Sequence, residues 1–117
     1  MPVPTDICLH RQSRLLELTF DDGFRCQLPC EYLRVYSPSA EVRGHGPGQE
    51  VLQTGKEDVA IDDIKPVGNY AVKLVFDDGH DSGLYDWDYL YSLGQNQQAN
   101  WENYLQRLAA AGVERKA

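Results

Sequence analysis

The alternation of apolar and polar positions predicts two strand hairpins of nearly the same design. Leu16, Leu18 and Phe20 share one face at a spacing of two, with Glu17 and Thr19 on the other, as in a strand covered on one side. Asp21-Asp22-Gly23 then reads as a turn, because Asp bonds its own backbone and Gly accepts positive φ. Phe24, Cys26 and Leu28 alternate along a returning strand, and Cys8 to His10 forms a short strand ahead of the pair, joined through polar Arg11-Gln12-Ser13-Arg14. The same order recurs in the second half. Val59, Ile61, Ile64 and Val67 open it, Gly68-Asn69 turns the chain, and the next strand runs from Tyr70 to Phe76. Tyr70, Val72, Leu74 and Phe76 are expected to face the core there, with Ala71, Lys73 and Val75 facing away. Asp77-Asp78-Gly79 repeats the turn, and Ser82 to Tyr85 is the return strand.

Helical signals follow each hairpin. Pro29 ends the first return strand, leaving Glu31 to Tyr36 as a short helix. Asp86 is placed to cap a helix from Trp87 to Leu93, closed by Gly94. Trp101, Tyr104, Leu105 and Leu108 recur at i, i+3, i+4 and i+7 along a final helix that Asn96 or Asn100 can start and Gly112 can end. Between the halves, Gly44, Gly46, Pro47, Gly48 and Gly55 predict a flexible loop over 41–56. Tyr32-Leu33 and Tyr89-Leu90 extend the repeat beyond the hairpins. The expected fold class is α+β, with small, mostly antiparallel sheets from two related hairpin-helix units and a C-terminal helix packed on the sheet.

Length and composition narrow the setting. The 117 residues suit a single domain over 1–117, and 42% hydrophobic with 25% charged residues is ordinary globular usage. Eighteen acidic against 11 basic residues give a net charge of −7, which repels phosphate backbones and anionic headgroups, so neither nucleic acid nor a membrane is an expected partner. No apolar run approaches the roughly 18 residues of a membrane span, and no secretory leader is visible. Cys8, Cys26 and Cys30 form an odd set in a chain long enough to build a core, which points to a reducing, cytoplasmic setting.

Little chemistry is written in the motifs. Cys26 and Cys30 lack the spacing that converges two thiolates on one ion, so packing is the better account of both. None of Ser37, Ser39 and Ser82 lies in a nucleophile elbow, and Gly44-His45-Gly46-Pro47-Gly48 has neither the lysine nor the strand-to-helix context of a phosphate-binding loop. His80 sits at the mouth of an acidic turn with Asp77, Asp78 and Asp81, whose charges should favour its imidazolium form, the plainer alternative being a histidine hydrogen-bonded within its turn. Tyr85 to Tyr91 is dense in rings beside carboxylates, a composition suited either to a packed helix or to contact with a protein or cation.

The stretch Tyr32 to Gly46, with Val67-Gly68-Asn69-Tyr70 and Phe76-Asp77-Asp78-Gly79-His80-Asp81-Ser82-Gly83-Leu84-Tyr85-Asp86-Trp87-Asp88-Tyr89-Leu90, resembles the γ-butyrobetaine hydroxylase-like N-terminal domain family (DUF971) in stand-alone form. In larger members this domain precedes an iron- and 2-oxoglutarate-dependent catalytic domain, absent here, and relatives are joined to P-loop ATPases that carry iron–sulfur clusters. The resemblance implies a non-catalytic accessory domain that binds a protein partner, linked to iron–sulfur or oxygenase machinery. The expected contact surface is Arg34, Tyr36, His80, Asp81 and Trp87, with no cofactor. The hydroxylases hold a structural zinc through three cysteines and a histidine. Matched by Leu33-Arg34, this chain has Ser37, Ser39 and Val42 at the cysteine positions and His80 at the histidine, a set that cannot hold zinc. The alternative expectation is an iron- or zinc-binding, or small-ligand-binding, module built on His80, Asp77, Asp78 and Asp81.

Overall fold

The two Phe-Asp-Asp-Gly turns fold alike, down to individual hydrogen bonds. The Phe20 amide donates to the Phe24 carbonyl at 2.9 Å, and the Phe76 amide to the His80 carbonyl at 3.0 Å. Gly23 and Gly79 adopt φ of 90° and 89°, a conformation that L side chains rarely reach. The first aspartate of each motif clips the turn to a neighbouring segment: Asp21 Oδ1 accepts from the Val3 amide and Asp77 Oδ1 from the Ala60 amide. The second caps the turn itself, Asp22 Oδ1 accepting from the Phe24 amide and Asp78 Oδ1 from the His80 amide.

The computed structural model describes residues 2–44 and 50–115. Strands β1 (Pro4–His10), β2 (Leu15–Phe20) and β3 (Arg25–Pro29) form one antiparallel sheet in sequence order, and β4 (Ile61–Val67), β5 (Ala71–Phe76) and β6 (Leu84–Asp86) form a second. Each first strand carries a register irregularity near the same phenylalanine, between Pro4 and Asp6 opposite Phe20 and between Ile61 and Asp63 opposite Phe76. The repeat therefore extends to the β-bulge, a feature that sets local twist. Helices α1 (Cys30–Val35) and α2 (Ala40–Arg43) follow the first sheet, and α3 (Trp87–Gln95) and α4 (Gln97–Ala110) follow the second. The architecture is the expected α+β.

Both sheets contribute to one core. Leu16, Leu18, Phe20 and Leu28 meet Ile61, Val72, Leu74, Phe76 and Tyr85, with Leu33, Leu90 and Leu93 from the helices closing over them. Helix α4 lays Tyr104 and Leu108 on Val35 of α1 and reaches β3 where Gln97 Nε2 donates to the Gln27 carbonyl at 3.1 Å.

Several local expectations need correction. Tyr70 is 54% exposed rather than in the core, because it belongs to the turn before β5, and Ala71, expected to face away, is buried beside Val72. The return strand is Leu84–Asp86, shorter than and shifted from Ser82 to Tyr85. Gly94 does not end its helix. It lies inside α3, where an added Cβ would stand 2.8 Å from Cys26 Sγ and 2.9 Å from Phe24 Cε2, so the glycine permits α3 to approach β3. Asp86 caps α3 as expected, accepting from the Tyr89 amide at 2.7 Å. Asn96 joins α3 to α4 but caps α4 with no side-chain bond, its amide donating back to the Ser92 carbonyl instead. Leu105 of the final stripe is left exposed. Of the loop expected over 41–56, Ala40–Arg43 contains a short helix, Gln53 and Lys56 are tied to the body of the fold, and 45–49 lie outside the described residues.

Candidate functional site

The turn bond from Asp78 fixes His80 immediately after β5, and the chain leaving α1 passes over it. Ser37 Oγ lies 2.8 Å and Ser39 Oγ 3.5 Å from His80 Nε2, while Glu41 Oε2 of α2 lies 3.1 Å from Nδ1. A carboxylate only accepts, so Nδ1 carries the hydrogen and Nε2 accepts from the Ser37 hydroxyl. The imidazole is buried. Burial, with the Arg34 guanidinium nearby, pushes its pKa below the ordinary histidine value, against the opposing pull of Glu41 and Asp78. This corrects the expected imidazolium: desolvation outweighs the acidic turn, and His80 is neutral at neutral pH.

Beside the histidine lies a three-residue ion cluster. Arg34 Nε and Lys56 Nζ both donate to Asp78 Oδ2, at 2.9 and 2.8 Å, and Arg34 Nη1 also donates to Gln53 Oε1 at 3.0 Å. Burial alone would raise the Asp78 pKa, but Lys56, the His80 amide and Arg34 together hold it at about 2.

Ser37, His80 and Glu41 repeat the bond order of a hydrolase relay, hydroxyl to imidazole to carboxylate. No sequence motif marks this arrangement, since its members come from the end of α1, from α2 and from the second turn. Access separates it from a nucleophile. Ser37 is 1% exposed, and a Cβ added to Gly83 would stand 2.5 Å from its Oγ, so backbone covers the hydroxyl where a reacting carbon would have to sit. The zinc implied by the resemblance fares no better. The structure does bring Ser37 and Ser39 to His80, as that matching requires, but protonated hydroxyls replace thiolates, Val42 has no donor atom, and Nε2 is engaged by Ser37. These residues do not fit zinc.

The other expected residues disperse. Asp77 Oδ1 is occupied by the Ala60 amide, and Asp81 faces Lys73 at 3.7 Å, so neither joins His80. Among the described residues no group of three His, Cys, Asp or Glu side chains could hold a metal ion. The three cysteines are free, and burial raises the Cys26 thiol to about 11. Arg34 is buried, and Tyr36 is half-buried with its hydroxyl donating to the Asn100 carbonyl at 2.7 Å. Arg34, Tyr36 and His80 thus organise the interior more than they present a surface.

Trp87 stands apart from that cluster. Its indole N–H donates to the Asn69 carbonyl at 2.8 Å, and its ring helps to line a recess of about 280 Å³ with Val3, Tyr70, Asp86 and Asp88. Val3, at 41% exposed, and Tyr70 are residues that sequence reasoning did not place here. The available signal was an aromatic residue inside the turn that Gly68-Asn69 opens, where strand alternation does not apply.

No described helix is long and apolar enough to cross a membrane. No curated protein matches the chain. Two proteins with NMR solution structures are similar to it: one at 60% identity and a TM-score of 0.84, over 98% of this chain and 86% of that one, the other at 50% and 0.85, over 99% and 91%. A crystal structure of a protein of unknown function in the DUF971 family, from Acidithiobacillus ferrooxidans, is 38% identical with a TM-score of 0.66, over 78% of this chain and 91% of that one. The profile described as "Gamma-butyrobetaine hydroxylase-like, N-terminal" matches residues 7–91. By both the profile and the crystal structure, the chain belongs to the γ-butyrobetaine hydroxylase-like N-terminal domain (DUF971) family.

Proposed function

We propose that this chain is a non-catalytic accessory domain that binds a protein partner through the recess around Trp87. The observation that carries this reading is the exposure of Tyr70 and Val3 beside a half-buried tryptophan, with Asp86 and Asp88 at the rim. Large apolar groups gathered at a surface and edged by charge favour protein contact, and the carboxylates select a partner segment with basic as well as apolar side chains. The covered Ser37 hydroxyl supports the non-catalytic part of the reading. The resemblance to hydroxylase-linked and iron–sulfur-linked domains supports an accessory role in such assemblies. Free cysteines, one of them exposed, fit a reducing cytoplasm. The net charge of −7 argues against nucleic acid and anionic membranes as partners.

Affinity capture with the immobilised chain tests this. A protein retained by the wild type should be lost from both Tyr70→Ser and Asp88→Lys, whose melting midpoints should stay near the wild-type value because both side chains are exposed. Equal retention by the wild type and both variants would overturn the assignment of the recess.

A further inference from the structure

A second recess, of about 570 Å³, opens between α1 and α4 and shares no residue with the one at Trp87. Its floor holds Glu31, a carboxylate only 6% exposed, and its wall is Trp101. Gln95, Gln97 and Gln98 stand around it. A buried carboxylate is costly without a cation, and here the cation is supplied by the chain itself. Beyond α4, Gly112 adopts φ of 70° and the Val113 amide donates to the Leu108 carbonyl at 2.9 Å, so the chain doubles back. Arg115 then reaches Glu31 with two donors, Nε to Oε2 at 2.8 Å and Nη2 to Oε1, while its guanidinium lies 5.2 Å from the Trp101 ring centre.

We infer that this recess is a recognition site for an arginine side chain of a protein partner, held in the free chain by Arg115, which the incoming guanidinium displaces. Arg115 displays what the site selects. A planar fork that pairs with both carboxylate oxygens and lies over an indole ring suits arginine and not lysine, whose ammonium is a compact, strongly hydrated point charge. Exchange also meets the electrostatic demand, since one guanidinium replaces another and Glu31 is paired with a cation both before and after the exchange. The occupying segment can leave without unfolding a helix or a strand, because Val113 to Arg115 belong to neither. The recess is larger than a single side chain, leaving room for the residues that flank an arginine in a partner. The Gln95 and Gln98 amides at its rim offer both donors and acceptors to such a backbone. The proposal stands whether or not the Trp87 recess binds a partner.

The test is a titration of the ¹⁵N-labelled chain with Nα-acetyl-L-arginine amide, followed at the Trp101 indole N–H and the Gln95 and Gln98 side-chain amides. In Arg115→Ala the internal competitor is gone, and the probe should bind about tenfold more tightly than to the wild type, as expected when the open state is a minor one. The citrulline analogue, equal in shape but uncharged, should not bind, and the lysine analogue should bind more weakly. The double variant Glu31→Gln, Arg115→Ala leaves no unpaired charge and should lose the probe. In the wild type the arginine probe should move the Arg115 Nε–H signal toward its free position, a readout that serves should Arg115→Ala fail to fold. Absence of that movement, no response of Trp101 in Arg115→Ala, or equal binding of the citrulline analogue would each overturn the proposal.

Discussion

Tyr32 and Tyr89 occupy equivalent places in α1 and α3, and each phenol reaches the chain at the end of the other's helix: Tyr32 donates to the Leu93 carbonyl at 2.8 Å and Tyr89 to the Tyr36 carbonyl at 2.5 Å. With Tyr32-Leu33 set against Tyr89-Leu90, Tyr36 corresponds to Leu93, so the two bonds are the same bond made in both directions. Each satisfies a carbonyl that helix geometry leaves without an intrahelical partner. Removing either hydroxyl by Tyr→Phe should cost about 1 kcal/mol. Tyr32→Phe should cost the more, because Asn100 Nδ2 also donates to that oxygen at 3.0 Å. Urea unfolding midpoints measure both, and a loss confined to one of the two would show that the bonds are not energetically equivalent.

The second turn aspartates repeat the exchange with different chemistry. Tyr91 of α3 donates to Asp22 Oδ2 at 2.6 Å, and Arg34, at the matching position of α1, donates to Asp78 Oδ2. Asp78→Asn keeps the shape of the turn but leaves the buried Arg34 without its counter-charge, and should cost about 3 kcal/mol. Asp22→Asn, at an exposed site, should cost less, and chemical denaturation of the two variants side by side would decide the order.

Asp78 also sets part of the acid response. Its folded pKa, about 2, lies below the ordinary carboxylate value of 3.8, so its contribution is complete above the latter and is lost as pH falls through the former. The linkage amounts to about 2 kcal/mol. Stability followed from neutral pH into this range should fall less steeply in Asp78→Asn than in the wild type.

His80 acts at milder pH. Its folded pKa is depressed, so the folded chain takes up a proton less readily than the unfolded one, and the stability it contributes is present above the ordinary value of 6.5 and lost as pH falls through the folded value. Thermal midpoints should be level above that value and decline below it, with this component absent from His80→Gln. An NMR titration giving His80 a pKa at or above 6.5 would contradict the assignment of a buried neutral ring.

Gly83 and Gly94 are places where backbone comes too close for a methyl group. Ala at 94 would meet Cys26 and Phe24, overriding the gain of about 1 kcal/mol that Gly→Ala normally brings inside a helix, and a net loss of about 1–3 kcal/mol is expected. Ala at 83 would strike Ser37 Oγ and break its bond to His80. Gly83→Ala should therefore shift the His80 ring resonances as well as the melting midpoint, whereas Gly94→Ala should leave those resonances in place.

Where the sequence was legible, local chemistry and burial pointed the same way. The doubled turn was visible because Asp and Gly act within a few residues, and the core strands were visible because one sheet face is covered. Tyr70 escapes the pattern because period two does not hold inside a turn. Gly94 reads as a helix end but marks a close approach, which depends on a partner element and leaves no local signal. The candidate site was the least legible part. Ser37, Glu41 and His80 carry no shared spacing, and whether the ring is charged rests on burial that no count of neighbouring aspartates reveals. The family resemblance did bring Ser37, Ser39 and His80 to matching positions, and the geometry places their polar atoms together.

Each strand-and-helix unit leaves one carbonyl at its helix end to the other's phenol, so each half of the chain lacks a partner that the other provides. Two fragments divided between α2 and β4 should each be largely unfolded alone and should recover the native spectrum when mixed, with Tyr32→Phe in one and Tyr89→Phe in the other each weakening the reassembled pair.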